Sequence, residues 1–224
     1  MSEGEIGLKT VCLFGPNLPP FFTDANPESE ALENYAIDLW HAGFGVLSAH
    51  LNAPRAPGLV ISPEMQFAFD ARAIKDFADA VFVMPGWEND ESLWLRVAWA
   101  YSRNKPIFES LAQLSRWRQG LPYASLSVPV YSWLKILASA TAFLGLIEKV
   151  KIAFVAGKYF VGEKKGRGAD GKDIWVSNRN AIHENILAAN RVAVALWQEG
   201  IGAFTPHNNT HHFELKTRID EAIY

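Results

Sequence analysis

Short apolar runs alternate with helix-patterned segments along the first half of the chain, and this alternation constrains the fold most. The runs at residues 10–14, 44–48, 80–84 and 106–108 are continuously apolar rather than alternating. Such runs are typical of strands buried on both faces, and helices between them predict a parallel sheet covered on both sides. We therefore expect an α/β fold with a doubly wound parallel sheet.

The same order of elements begins again near residue 151, and the two passes share residues. Residues 31–53 and 188–210 align without a gap at an offset of 157. A helix followed by a strand would explain matched apolar positions and glycines, but not matched Trp, His and Asn. The matched pairs are Leu39/Leu196, Trp40/Trp197, Gly43/Gly200, Gly45/Gly202, His50/His207 and Asn52/Asn209. We predict a tandem duplication with three parts: a complete domain at 1–118, a helical connector at 119–150 and a half copy at 151–224.

Composition indicates a globular protein and argues against nucleic-acid binding. The chain has 224 residues, 49% of them hydrophobic, and a formal charge of −3, so it is long and apolar enough to bury a core and has no global basic field for nucleic acid. Its single cysteine, Cys12, cannot form an internal disulfide, which favours a cytoplasmic location. The apolar stretch 128–147 is long enough to span a bilayer, but Lys135 interrupts it and favours a buried helix.

Candidate site residues follow the predicted strands, because ligands of open parallel sheets bind at the carboxyl ends of the strands. The third strand is followed by PGWENDES, which groups three carboxylates around Trp87. Acids suit glycosidic chemistry and an aromatic ring suits stacking, so this loop points to a sugar or nucleoside; a polar loop capping the next helix is the alternative. The candidate acids are Asp90, Glu88 and Glu91, and the candidate ligand-binding residues are Gly15, Pro16, His50, Asn52, Asp70, Trp87, Gly157, His207 and Asn209.

The motifs together resemble the nucleoside 2-deoxyribosyltransferase superfamily, and more closely a branch of small domains, many of them phage-borne, with the PGWE turn. The resemblance rests on Gly-Pro after the first strand, D-x8-D before the third, PGWE and then KPIFE. It covers residues 9–109, and residues 151–224 as a first half of a second copy. It implies a flavodoxin-like, Rossmann-like fold, a nucleoside or nucleotide ligand, no cofactor, and a homo-oligomer that shares residues across its interface.

The resemblance also assigns roles to individual positions. It places the sugar-binding acid at Asp70, a strand-leading acid at Asp79 and a further acid at Asp90. The nucleophilic Glu of the family falls at Arg96, and Trp94 replaces a small residue beside it. A guanidinium stays protonated and has no lone pair to attack with, so the family's covalent mechanism cannot run here.

Several readings of the function stay open at this point. Catalysis would survive the loss of the family Glu in one of three ways: Glu88 or Glu91 supplies the carboxylate, Asp90 acts as a base on water, or a second chain completes the site. Otherwise the domain binds its ligand without catalysis, or is a non-catalytic interaction or assembly module. A roomy pocket containing His50, Asp70 and Asp90 would favour a ligand site, whereas a pocket filled by Trp94 and Arg96 would favour the module.

Two further motifs predict neither a dinucleotide site nor a metal site. The glycines of residues 166–171 match GxGxxG but lie nine residues beyond the strand end, so we expect a flexible, locally basic loop. The histidines in PHNNTHH, at positions 207, 211 and 212, lack the acid or cysteine partners of a zinc site, and we expect no metal.

Overall fold

The structure is a computed structural model that describes residues 8–15, 27–52, 61–126, 144–155, 162–167, 173–177 and 179–205. Its first unit contains one four-stranded parallel sheet in the order β2-β1-β3-β4. The strands are β1 (Lys9–Phe14), β2 (Phe44–Leu47), β3 (Ala80–Val83) and β4 (Ile107–Phe108). The helices are α1 (Pro27–His41), α2 (Ala49–Asn52), α3 (Pro63–Asp76), α4 (Glu91–Ser102) and α5 (Leu111–Arg118). The predicted α/β fold with a parallel sheet is confirmed.

Helices cover both faces of this sheet, as the continuously apolar strands predicted. Val11 and Leu13 belong to the buried cluster that includes α1 and α5. Cys12 and Phe14 point to the opposite face and belong to the cluster that includes α3 and α4. Successive side chains of a strand face opposite sides of its sheet, so an apolar run in β1 supplies two cores at once.

The start of β1 is held by Asp79, the residue that leads into β3. Its carboxylate accepts a hydrogen bond from the Thr10 backbone N–H at 2.8 Å, and Lys9 lies 3.8 Å from its other oxygen. The contact joins two neighbouring strands where each begins. This strand-leading acid therefore has a structural role at the end of the sheet opposite the carboxyl ends of the strands.

The second unit repeats the strand–helix–strand order of the first. Its elements are α6 (Leu144–Lys149), β5 (Lys151–Phe154), β6 (Gly162–Arg167), β7 (Asp173–Ser177), α7 (Arg179–Gln198) and β8 (Ile201–Phe204). β5 pairs with β8 in parallel, with Lys151 opposite Ile201, as Lys9 is opposite Phe44 between β1 and β2. The two units thus use the same register, while the tandem duplication and its boundaries stay a prediction.

The flexible loop predicted at residues 166–171 is wrong for residues 166 and 167, which end strand β6, while residues 168–172 lie outside the described residues. β6 and β7 pair antiparallel, with Lys164 opposite Trp175 and an irregularity between Lys164 and Gly166. The segment Ile174–Val176 is rich in β-branched and aromatic residues, which favour strands. Strand β6 was not predicted because it consists mainly of glycines and charged residues, and a strand with few apolar residues has little periodic hydrophobic signal.

No helix in the described part of the chain is long and apolar enough to cross a membrane. Most of the apolar stretch that raised the question, residues 128–143, lies outside the described residues.

Cys12 offers a direct test of this fold. Its side chain is 2% exposed, and burial raises the pKa of the thiol well above its ordinary value. Because the thiolate is the reactive form, we expect the native protein to react with a thiol reagent such as DTNB far more slowly than the guanidinium-denatured chain. The denatured chain should react with one equivalent, and fast labelling of the native protein would contradict the buried position of β1.

Candidate functional site

A cavity of about 350 Å³ opens at the carboxyl ends of β1 and β2 and is walled by α3 and α4. In the sheet order, β1 lies beside β3, and the helices that follow these two strands, α1 and α4, lie on opposite faces of the sheet, so a crevice forms there. The described lining residues are Leu13, Phe14, Gly15, Ser48, Ala49, His50, Pro63, Glu64, Gln66, Phe67, Asp70, Asp90, Ser92, Leu93, Leu95 and Arg96. The cavity therefore has apolar walls with a few charged groups.

An ion pair between α3 and α4 forms part of the cavity wall. Arg96 Nε donates to Asp70 Oδ2 at 2.5 Å, and both side chains are buried. Arg96 also donates from Nη1 to the Ser92 carbonyl oxygen at 2.8 Å, and its guanidinium carbon lies 5.8 Å from the centre of the Phe14 ring. The guanidinium is thus held by both of the helices that face each other across the cavity.

Burial raises the pKa of Asp70 above its ordinary value of 3.8, while the Arg96 guanidinium opposes that rise. The folded state therefore holds the Asp70 proton more tightly than the unfolded chain does. It follows that this group's contribution to the free energy of unfolding falls as the pH rises from the unfolded to the folded pKa.

Asp90, at the start of α4, and His50, in α2, also line the cavity. Asp90 is the N-cap of α4, and its Oδ1 accepts from the Ser92 backbone N–H at 2.9 Å. His50 lies in α2, directly after β2, and is 8% exposed. The structure therefore brings together Gly15, His50, Asp70 and Asp90, all of which the sequence predicted as site residues.

The other residues of the PGWE turn lie away from the cavity lining. Glu88 and Glu91 are exposed to solvent, in the 3-10 turn Trp87–Asn89 and the first turn of α4. Trp87 is buried and donates its indole N–H to the Glu109 carboxylate. These three side chains were expected at the ligand, and the turn instead directs the two acids outward and the indole into the protein.

Trp94 does not crowd the cavity. Its ring lies 5.3 Å from that of Trp87, and its indole N–H donates to the Glu88 carbonyl oxygen at 2.9 Å. The neighbours Leu93 and Leu95 line the cavity, whereas Trp94 packs against the turn. The large residue at this position is accommodated without filling the site.

The remaining predicted residues fall outside what the structure describes, and several lining residues were missed. Pro16, Gly157, His207 and Asn209 lie outside the described residues, and for Asn52 only the backbone in α2 is described. Gln66 and Phe67, which sequence reasoning missed, precede Asp70 by one helical turn. Their spacing to Asp70 places them on one side of α3, and that signal was available in the sequence.

Comparison with known proteins assigns no family. No family model matches the chain, and no curated protein matches it. Among solved structures, the solution structure of BlsM is similar over 65% of this chain and 97% of that chain, at 18% sequence identity and a TM-score of 0.34. A similarity at this level carries no argument about the site.

The ion pair predicts the effect of Arg96→Met on stability. Removing the guanidinium leaves Asp70 buried without a counter-ion, and we expect the free energy of unfolding to fall by about 3–5 kcal/mol at neutral pH. The loss should shrink at mildly acidic pH, because protonation neutralises Asp70. Denaturant titrations at both pH values measure it.

Arg72→Met is the matched control. Arg72 pairs with Asp76 on the same helix, but both side chains are partly exposed to solvent, so the expected loss is at most about 1 kcal/mol. Equal losses for the two variants would contradict a special role for the buried pair.

Proposed function

We propose that this chain is a nucleoside 2-deoxyribosyltransferase-like protein that binds a nucleoside or nucleotide in the cavity between α3 and α4, with the covalent nucleophile of that family replaced. The observation that carries the proposal is the open cavity of about 350 Å³ with His50, Asp70 and Asp90 in its wall. This volume falls within the range of small-molecule sites, roughly 300–1,000 Å³.

The lining suits the two halves of a nucleoside. Phe14, Phe67 and Leu93 offer apolar surface for the flat base. Asp70, Asp90 and His50 offer the charged and polar groups that hydrogen-bond sugar hydroxyls. A largely apolar pocket with a few placed polar groups is the usual form of such a site.

Arg96 determines what chemistry the cavity supports. It occupies the position of the family nucleophile and donates to Asp70, the acid that the resemblance assigns to the sugar. A guanidinium cannot attack the anomeric carbon, so no covalent glycosyl-enzyme forms at this position. Asp90 is the half-buried carboxylate of the cavity wall that would act as a base on water if the bound ligand is hydrolysed.

Binding is tested with a panel of 2′-deoxynucleosides and their 5′-monophosphates, measured by calorimetry and by chromatography for free base. We expect at least one to bind, and His50→Ala to weaken it about tenfold, equivalent to ~1.4 kcal/mol, because His50 lines the cavity. His41→Ala is the matched control, since His41 is exposed at the end of α1.

Each result of the panel has a distinct meaning. Binding without free base identifies a ligand site without catalysis. Free base that disappears in Asp90→Asn identifies hydrolysis through Asp90. No binding by any member would overturn the proposal and leave an interaction module on the same fold.

Restoring the family carboxylate gives a second test. Arg96→Glu places a carboxylate where the resemblance puts the nucleophile, and we expect measurable release of base from a deoxynucleoside that the parent binds without cleaving. Arg96→Gln is the control, because it removes the charge without supplying a nucleophile. A folded Arg96→Glu variant that binds the ligand but releases no base would contradict the assignment of this position.

A further inference from the structure

Helix α3 faces the cavity on one side and the second unit on another. Gln66, Phe67 and Asp70 line the cavity. Phe69, between them in sequence, is fully buried and belongs to a cluster that also contains Trp197 and Phe204 of the second unit. One helix therefore carries both the site acid and the main contact to the second unit.

Phe69 is seated on a surface that the second unit supplies. Its ring centre lies 5.1 Å from that of Trp197 in α7 and 4.6 Å from that of Phe204 in β8. Gly202 forms the floor of this seat, because a Cβ added there would overlap the Phe69 ring. The absence of a side chain at Gly202 is what lets α3 approach β8 this closely.

The second unit contacts other parts of the cavity wall as well. α3 also contacts α6 and β5, and α2, which carries His50, contacts β8. Two of the elements that supply cavity residues thus contact the second unit: α3, which carries Asp70, and α2, which carries His50.

We propose that the second unit is a positioning element for the binding site, with Phe69 on Gly202 setting the place of α3 and hence of Asp70 opposite Arg96. Phe69 is not a lining residue of the cavity and would act through Asp70, its neighbour in sequence. A methyl group added at position 202 should displace α3, because side chains packed at this density have no space to take it up. The ligand-binding measurement that tests this proposal rests on the function proposed above.

The chain contains a matched control for Gly202. Gly45 lies at the corresponding place in the first unit, opposite Thr10 as Gly202 is opposite Ile152. A Cβ added at Gly45 would meet Thr10 Oγ1 at 3.4 Å, which is ordinary contact. The same substitution therefore strains one unit and not the other.

The experiment compares Gly202→Ala with Gly45→Ala in the full chain. The probes are 2′-deoxyadenosine and 2′-deoxyadenosine 5′-monophosphate for affinity, and DTNB for the rate at which Cys12, a member of the same buried cluster as Phe69, reacts. For Gly202→Ala we expect about tenfold weaker probe binding and about tenfold faster labelling, with Gly45→Ala like the parent in both.

Rescue shows whether the effect of Gly202→Ala passes through Phe69. Phe69→Leu reduces the ring that the new methyl group meets, so the double variant Phe69→Leu with Gly202→Ala should recover to within about threefold of the parent in both measurements. If Gly202→Ala alone does not fold, Phe69→Leu is compared with the double variant. The double variant should then bind the probe at least as tightly as Phe69→Leu, and its Cys12 should react no faster.

The outcomes for the two proposals are distinct. A parent protein that binds neither probe counts against the proposed function, and labelling of Cys12 then tests the contact between Phe69 and Gly202 alone. Parent-like affinity and labelling in Gly202→Ala would overturn the positioning role. A double variant no better than Gly202→Ala, or than Phe69→Leu where Gly202→Ala does not fold, would also overturn it, since the glycine would then not act through Phe69.

Discussion

The ion pair between Asp70 and Arg96 is the interaction on which the candidate site depends. Each charge would be costly to bury alone, and the 2.5 Å contact between α3 and α4 is what makes both tolerable inside the protein. The pair therefore constrains where the two helices lie relative to each other, and the cavity is the space they leave at the end of β1. It also limits the proposed chemistry, because it puts a cation at the position where the resemblance described in the sequence analysis implies a nucleophile.

Most of the fold was predictable because its strands are locally marked. β3 was expected at residues 80–84 and spans Ala80–Val83, since its apolar run is bounded by Asp79 on one side and Pro85-Gly86 on the other. The β6–β7 hairpin was not predictable in this way. Lys164 is a strand residue because it pairs with Trp175 across the ladder, and that pairing is a property of two segments together.

In the candidate site, too, the residues marked by local sequence were predicted and those positioned by distant contacts were not. His50 and Asp90 were found because each directly follows a strand end or opens a helix, which local sequence marks well. Trp87, Glu88 and Glu91 were placed in the site because they are neighbours of Asp90 in sequence. Their directions depend on the 3-10 turn and on Glu109, 22 residues away, which accepts the Trp87 indole N–H. Such a partner leaves no periodic signal.

The second unit depends on the first for burial of its core. Its β5 and β8 pair in the register of β1 and β2, yet Phe154 is 50% exposed where the corresponding Cys12 is 2% exposed. β1 is covered because β3 pairs beside it and α3 and α4 lie over it. In the second unit, Phe69 of α3 packs on Phe204 of β8, so the apolar cores of the two units are continuous. The contact that buries the second unit is also the one that, in the proposal above, sets the position of α3 and of Asp70, so both effects are traced to one interface.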